Sequence, residues 1–171
     1  MSKPSYCQYC RTLEPTNIHK IYHDTEYGKR VKCDNELFER LTLEIFQAGL
    51  SWDIILKKRS HFQEAFSKFQ IIQVAKYNQE HIEKLMLNKA IVRNRKKIEA
   101  TIYNARKMMQ LKSENGSFYN WLEDNRLKTL SEWTILLKKN FNFVGTEIAN
   151  EFLKGANLLD GAHDEDCYLN N

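Results

Sequence analysis

Asp34-Asn-Glu-Leu37-Phe38-Glu-Arg-Leu41-Thr-Leu-Glu44-Ile45-Phe-Gln-Ala48-Gly49-Leu50-Ser51-Trp52 is the stretch on which the fold class turns. Leu37, Phe38, Leu41, Ile45 and Ala48 recur at three- and four-residue intervals, the period of a helix with one apolar face. Asp34 or Asn35 is placed to cap its start, and Gly49 ends it. The same stretch carries an anomaly. Glu44 lies three residues after Leu41 and four before Ala48, aimed along the apolar side, where an unpaired charge is costly. It needs a partner or a ligand. Just beyond it, Ala48 to Trp52 breaks one helix and starts another, a corner able to present Leu50 and Trp52 at a surface.

Outward from this helix the same period continues. Ser60-His-Phe-Gln63 has the form of a capping box opening a short helix with Phe62, Ala65, Phe66 and Phe69 on one side. Asn78 caps another, with Ile82, Leu85 and Met86 inward. A longer helix is expected from about Arg95 to about Lys112, carrying Ile98, Ile102, Ala105 and Met109 and stopped by Asn115-Gly116. Shorter ones follow from Ser117 and from Ser131. The last, capped by Thr146, uses Ile148, Ala149, Phe152 and Leu153 and stops at Gly155. Both prolines lie in the first stretch and no segment alternates at period two, so the chain reads as all-α.

Its 171 residues suit one domain with a sizeable core. The N-terminus has no apolar leader and no run approaches a membrane span, so a cytoplasmic protein without a membrane partner is expected. Four cysteines in that compartment read as thiols or metal ligands rather than disulfides. A net charge of +4 is only a mild lean toward an anionic partner.

Two features carry possible chemistry at the ends and in the middle. Cys7-Gln-Tyr-Cys10, His19 and His23 lie near the start, and His163-Asp-Glu-Asp-Cys167 near the finish. The final pair can reach one ion, but two thiols and two imidazoles upstream leave four ways to complete a Cys2His2 shell. In the middle, Asn88 to Lys97 is a short apolar link flanked by Lys89, Arg93, Arg95 and Lys96. Such a hairpin can offer backbone N–H groups and cations to a phosphate, although a basic run is more often a solvated face.

Taken together the motifs resemble the DNA-3-methyladenine glycosylase I family. The resemblance rests on Cys7-Gln-Tyr, Tyr22-His23-Asp-Thr-Glu26-Tyr-Gly28, Glu44-Ile-Phe-Gln-Ala-Gly-Leu-Ser-Trp52, Leu56-Lys-Lys-Arg59, Ile91-Val-Arg-Asn-Arg-Lys-Lys-Ile98, Phe143-Val-Gly145 and His163-x3-Cys167, in order along nearly the whole chain. It implies a single helix-hairpin-helix DNA glycosylase domain over residues 1–171, in which residues 1–30 and 155–171 form a clasp around a structural zinc. It selects Cys7, His23, His163 and Cys167 as the ligands and leaves Cys10 and His19 outside. It assigns Glu44 as the catalytic carboxylate, Tyr22, Trp52 and, by position, His19 to the base pocket, and Gly49 and Leu50 to a loop that enters the DNA stack. Lys89, Arg93, Arg95 and Lys96 become contacts to the DNA backbone. The implied activity is excision of 3-methyladenine, a cationic lesion, from double-stranded DNA by a monomeric enzyme.

The chain departs from the family pattern in its longer spacing between Cys7 and His23, in Asp160-Gly-Ala before His163, and at three single positions. His19 stands where a pocket tyrosine is usual, Tyr27 replaces a tryptophan, and Ala90 occupies the usual hairpin glycine. No aspartate occurs from Lys89 to Ser113, where related glycosylases keep a catalytic one, so pocket complementarity rather than strong acid catalysis is expected to do most of the work. The alternative is a non-catalytic DNA-binding protein of the same fold. A zinc hydrolase is disfavoured, because four protein ligands leave no position for an activated water.

Overall fold

Ten α-helices and one short 3₁₀ turn make up the computed structural model, which describes residues 4–170, and no strand occurs among them. The helices are α1 (Tyr6–Arg11), α2 (Ile18–Thr25), α3 (Asp34–Gln47), α4 (Trp52–Ala65), α5 (Ile71–Val74), α6 (Gln79–Leu87), α7 (Arg95–Asn115), α8 (Phe118–Asp124), α9 (Leu130–Asn140) and α10 (Thr146–Gly155). α3 is the hub: it packs against α4, α5, α7, α8 and α10. Its stripe of Leu37, Phe38, Leu41, Ile45 and Phe46 is fully buried, joined by Phe62, Phe66 and Phe69 from one side and Trp133 and Phe152 from the other. An apolar face this complete explains why α3 needs no strong cap of its own.

The helix starts show where local reasoning stops. The N-cap of α3 is Cys33, without a side-chain bond. Asp34 and Asn35 serve other helices instead: Asp34 Oδ1 accepts from the Tyr119 backbone N–H (3.0 Å) and Asn35 Oδ1 from that of Ile71 (3.1 Å). Each satisfies an orphan donor in the first turn of α8 or α5. Ser60 opens no helix; it lies inside α4, which runs unbroken because Ile55 and Phe62 share its core-facing side, and Gln63 donates to Glu39 (2.8 Å) rather than closing a box. α9 starts at a Thr129–Glu132 capping box, ahead of Ser131, and α10 is preceded by Gly145, with Thr146 as its first helical residue.

Between α4 and α5, Ser67, Lys68 and Phe69 all have φ near +50° (51°, 52° and 53°), a conformation unfavourable for L-residues. The turn drops Phe69 into the core against Phe38 and Phe66 (ring centroids 5.8 Å in each case), and the Tyr77 hydroxyl ties it down through Ser67 Oγ (2.8 Å) and the Ala65 carbonyl (3.1 Å). At the other side of α3 a buried arginine gathers distant chain segments. Arg40 Nη1 donates to the carbonyls of Gly155 (2.6 Å) and Glu26 (3.1 Å), and Nη2 to Glu36 (2.8 Å). The ends of α2 and α10 are thereby held on the helix that carries Glu44.

Candidate active site

A cavity of about 230 Å³ opens where α1, α2, α3, α4 and α10 converge, lined by Tyr6, Tyr22, Tyr27, Glu44, Gln47, Trp52 and Glu151. Tyr22, Tyr27 and Leu56 form a small apolar cluster apart from the main core, with Tyr6 and Trp52 packed on it. This aromatic wall exists because α2 packs on α4. Tyr22 and Trp52 touch directly, with ring centroids 5.2 Å apart and planes tilted by 58°. A planar ring between two aromatic faces needs about 7 Å, two aromatic contact distances, so at this spacing Tyr22 and Trp52 are in contact with each other.

Glu44 contributes a carboxyl group with no hydrogen-bond or ion-pair partner among the described residues. Burial, and after it the charge of Glu151, push its pKa up to about 8. At neutral pH these two effects favour the protonated form of Glu44. The hydroxyls of Tyr22 and Tyr27 are also raised, by burial first and then by Glu44 for Tyr22 and by Glu151 and Glu44 for Tyr27, and stay neutral. Glu151 accepts from Tyr27 Oη (3.4 Å) and from Asn150 Nδ2 (3.0 Å). It was not singled out from the sequence, although its position three residues after Ile148, beside core residues Phe152 and Leu153, is the kind of signal that marks Glu44.

His19 is buried but does not line this cavity. Its Nδ1 lies 3.2 Å from Tyr6 Oη and its Nε2 3.3 Å from Asp53 Oδ1 on α4. Tyr6 occupies that wall, with His19 supporting it from behind.

Beyond α3, Gly49 has φ +86° and nothing within 4 Å of where a Cβ would sit, so the corner needs glycine for its conformation and leaves open space around it. Leu50 is exposed there. Lys97, from the first turn of α7, is buried and donates to the carbonyls of Phe46 (3.0 Å) and Ala48 (2.6 Å), and burial lowers its pKa. It caps α3 in place of the N–H groups that the corner cannot supply. The ring of Phe143, an exposed residue at φ +65°, lies 5.7 Å from the same ammonium. Two exposed apolar tips thus share one buried anchor.

Along the link from α6 to α7, Lys89, Arg93 and Lys96 are exposed and make no ion pair among the described residues. Arg95 differs: Nη2 reaches both oxygens of Glu83 at 2.9 Å. Ala90 does not have positive φ, so alanine is unstrained where the family has glycine. Its N–H donates to Asn88 Oδ1 (2.9 Å) and its carbonyl accepts from Lys58 Nζ (2.8 Å).

Cys7 of α1, His23 of α2 and His163 and Cys167 of the C-terminal segment bring one donor atom each to within 4.8 Å of one another and could hold a metal ion. His23 Nε2 lies 3.2 Å from His163 Nδ1 and 3.3 Å from Cys7 Sγ; Cys167 Sγ lies 3.8 and 3.7 Å from the two imidazole nitrogens. Each imidazole uses its outer nitrogen elsewhere, His23 Nδ1 on Asp24 (2.8 Å) and His163 Nε2 on the Tyr27 carbonyl (3.0 Å). That pairing leaves the inner nitrogens unprotonated for coordination. Gly28, at φ +72°, is required: a Cβ there would meet His163 Nε2 at 2.8 Å. Cys10 lies outside the cluster, its thiol on the His19 carbonyl (3.7 Å), and Cys33 is exposed.

The methyladenine glycosylase family model matches residues 12–170. DNA-3-methyladenine glycosylase 1 of Escherichia coli K12 is 32% identical over 170 residues, spanning 88% of this chain and 91% of that protein. Among solved structures, a tyrosine-to-phenylalanine variant of 3-methyladenine DNA glycosylase I in complex with 3-methyladenine superposes with a TM-score of 0.86 at 31% identity over 96% of both chains. The 3-methyladenine DNA glycosylase I of Staphylococcus aureus gives 0.85 at 29% identity, covering 96% of this chain and 97% of that one.

Proposed function

The chain belongs to the methyladenine glycosylase family and is a base-excision enzyme, a DNA-3-methyladenine glycosylase; from that premise we propose how its pocket, loop and metal cluster divide the work. The observation that carries the reading is Glu44: a half-buried carboxyl group without a protein partner, set in an aromatic cavity of a size to take one base.

A base inside a duplex is out of reach, so the lesion must be turned out of the stack. Leu50, carried by the Gly49 corner that Lys97 braces, fills the gap left behind. The extruded base enters between Tyr22 and Trp52, whose faces favour an electron-poor cationic ring. Its positive charge favours ionisation of Glu44, which releases its proton to water, and the resulting carboxylate accepts hydrogen bonds from the amine edge of the base. Neutral adenine does not favour that ionisation and gains less. In the chemical step the C1′–N bond breaks, its electron pair neutralises the departing base, and water adds to C1′ with loss of a proton. Alkylation has already made the base a good leaving group, so complementarity to the cation supplies most of the selectivity.

Lys89, Arg93 and Lys96, with the N–H groups at the start of α7, hold the DNA backbone; α6, the Asn88–Asn94 link and α7 act as the helix-hairpin-helix unit. Arg95 joins them only when DNA competes with Glu83. The metal is zinc. A tetrahedron with ordinary Zn–N and Zn–S bonds has N···N edges of about 3.3 Å and N···S edges of about 3.6 Å, close to the distances found. Four ligands close the shell, and zinc supplies folding stability in a single-domain, monomeric, cytoplasmic enzyme.

Chromatography of the bases released from methylated duplex DNA tests the reading. Wild-type protein releases 3-methyladenine and Glu44→Gln does not. Salt-sensitive duplex binding without release by either protein would establish the non-catalytic alternative.

A further inference from the structure

Glu44 is not the only carboxylate in the base cavity. Glu151, on α10, lines the same space and reaches the wall through Tyr27 Oη at 3.4 Å, with Asn150 Nδ2 at 3.0 Å on its other oxygen. No cation neutralises it: among the described residues neither Glu44 nor Glu151 forms an ion pair with lysine, arginine or histidine. The charged groups nearby are committed elsewhere. Arg40, one turn before Glu44 on α3, is held by Glu36 and two carbonyls, and Lys97 at the far end of α3 by two more. Tyr6 from α1, Tyr22 from α2 and Tyr27 from the following turn are neutral hydroxyls. α4 brings only Trp52 to the cavity, and α9, which packs on α10, brings nothing.

Two carboxyl groups facing one aromatic cavity, with no protein cation between them, form an incomplete electrostatic site that a positively charged ligand completes. We propose that Glu151 is a second recognition residue of the base pocket, acting with Glu44 to select purines that carry a positive charge. The assignment rests on the glycosylase reading and gives it a specificity device: the charge of Glu151 disfavours ionisation of Glu44 until a cation enters between them. Arrival of the cation removes the repulsion, so a charged base is rewarded by both carboxylates and a neutral base by neither. Glu151 thus also determines the pH at which the free enzyme becomes competent.

The conservative variant Glu151→Gln keeps an acceptor for Tyr27 Oη and removes only the charge. Two readouts follow, on protein shown to be folded by its melting curve. First, tryptophan fluorescence at pH 9 compares binding of a permanently cationic dimethyladeninium ion with neutral adenine. Glu151→Gln loses about tenfold of the cation preference, the worth of one charge-assisted contact. Second, the pH profile of kcat/KM for release of 3-methyladenine from duplex DNA reports ionisation in the free enzyme. Its acid limb moves to lower pH in the variant, because Glu44 ionises more easily without a like charge beside it. A merely structural Glu151 would lower activity without moving the limb. If wild type releases base, Glu44→Gln does not, and Glu151→Gln keeps both the ligand ratio and the limb of wild type, the Glu151 assignment is overturned alone. Absence of release from wild type overturns the glycosylase reading and the assignment together.

Discussion

Glu44 costs the fold stability as pH rises, because burial opposes its ionisation. Its folded-state pKa of about 8 lies above the ordinary 4.5, so between those values the unfolded chain has lost a proton that the folded chain still holds. The favourable contribution is complete below pH 4.5 and is lost as pH rises toward 8. Glutamine does not titrate. Glu44→Gln should therefore melt higher than wild type by an amount that grows from pH 5 to pH 8, reaching about 1–3 kcal/mol after allowance for water at the pocket mouth. Differential scanning calorimetry at the two pH values checks this, and an equal offset at both would contradict the burial argument. The oddity of Glu44 was legible in the sequence because its neighbours Leu41 and Ala48 define the face it shares. Glu151 offered a weaker form of the same signal, three residues from Ile148. Tyr6 offered none, since a six-residue helix has no face until something packs on it.

At the scale of elements, α3 ends where a lysine from another helix ends it. Replacing Lys97 with methionine keeps most of the stem but strands the Phe46 and Ala48 carbonyls, which should cost about 1–3 kcal/mol and loosen the Gly49–Leu50 corner. Urea denaturation reads the first effect. The second should appear as a larger loss of base release from duplex than from single-stranded methylated DNA, because only the duplex calls on the wedge proposed for Leu50. The left-handed turn gives a prediction of opposite sign. Lys68 is exposed at φ +52°, so Lys68→Gly should raise stability by about 1 kcal/mol, visible as a higher midpoint in the same denaturation. The existence and apolar faces of the helices were readable from periodicity, which is local. Their ends were less so: Asp34 and Asn35 cap neighbouring helices, and Ser60 sits mid-helix, because cap residues bond to whichever orphan donor the packing brings near.

For the molecule as a whole, the clasp ties α1 and α2 to the C-terminal segment, closing nearly the entire chain into one loop. Cys167→Ser, or prolonged exposure to a strong chelator, should lower the melting temperature by the equivalent of several kcal/mol. Base release per folded molecule at low temperature should stay within about twofold of wild type, since the cluster is separate from Glu44. A parent-like melting temperature in the variant would remove the structural role. The sequence by itself determined the helical class, the helix that carries Glu44, the Gly49–Leu50 corner and the family, because periodicity, turn chemistry and motif spacing are written in neighbouring residues. Spacing alone left four ligand sets open, and only the tertiary structure brings Cys7, His23, His163 and Cys167 within reach of one ion while holding Cys10 apart. It alone places His19 behind Tyr6, engages Arg95 with Glu83, and brings Glu151 of α10 to the cavity of Glu44. Coordination, burial and like-charge repulsion depend on distance in space, and the chain specifies that distance only once it has folded.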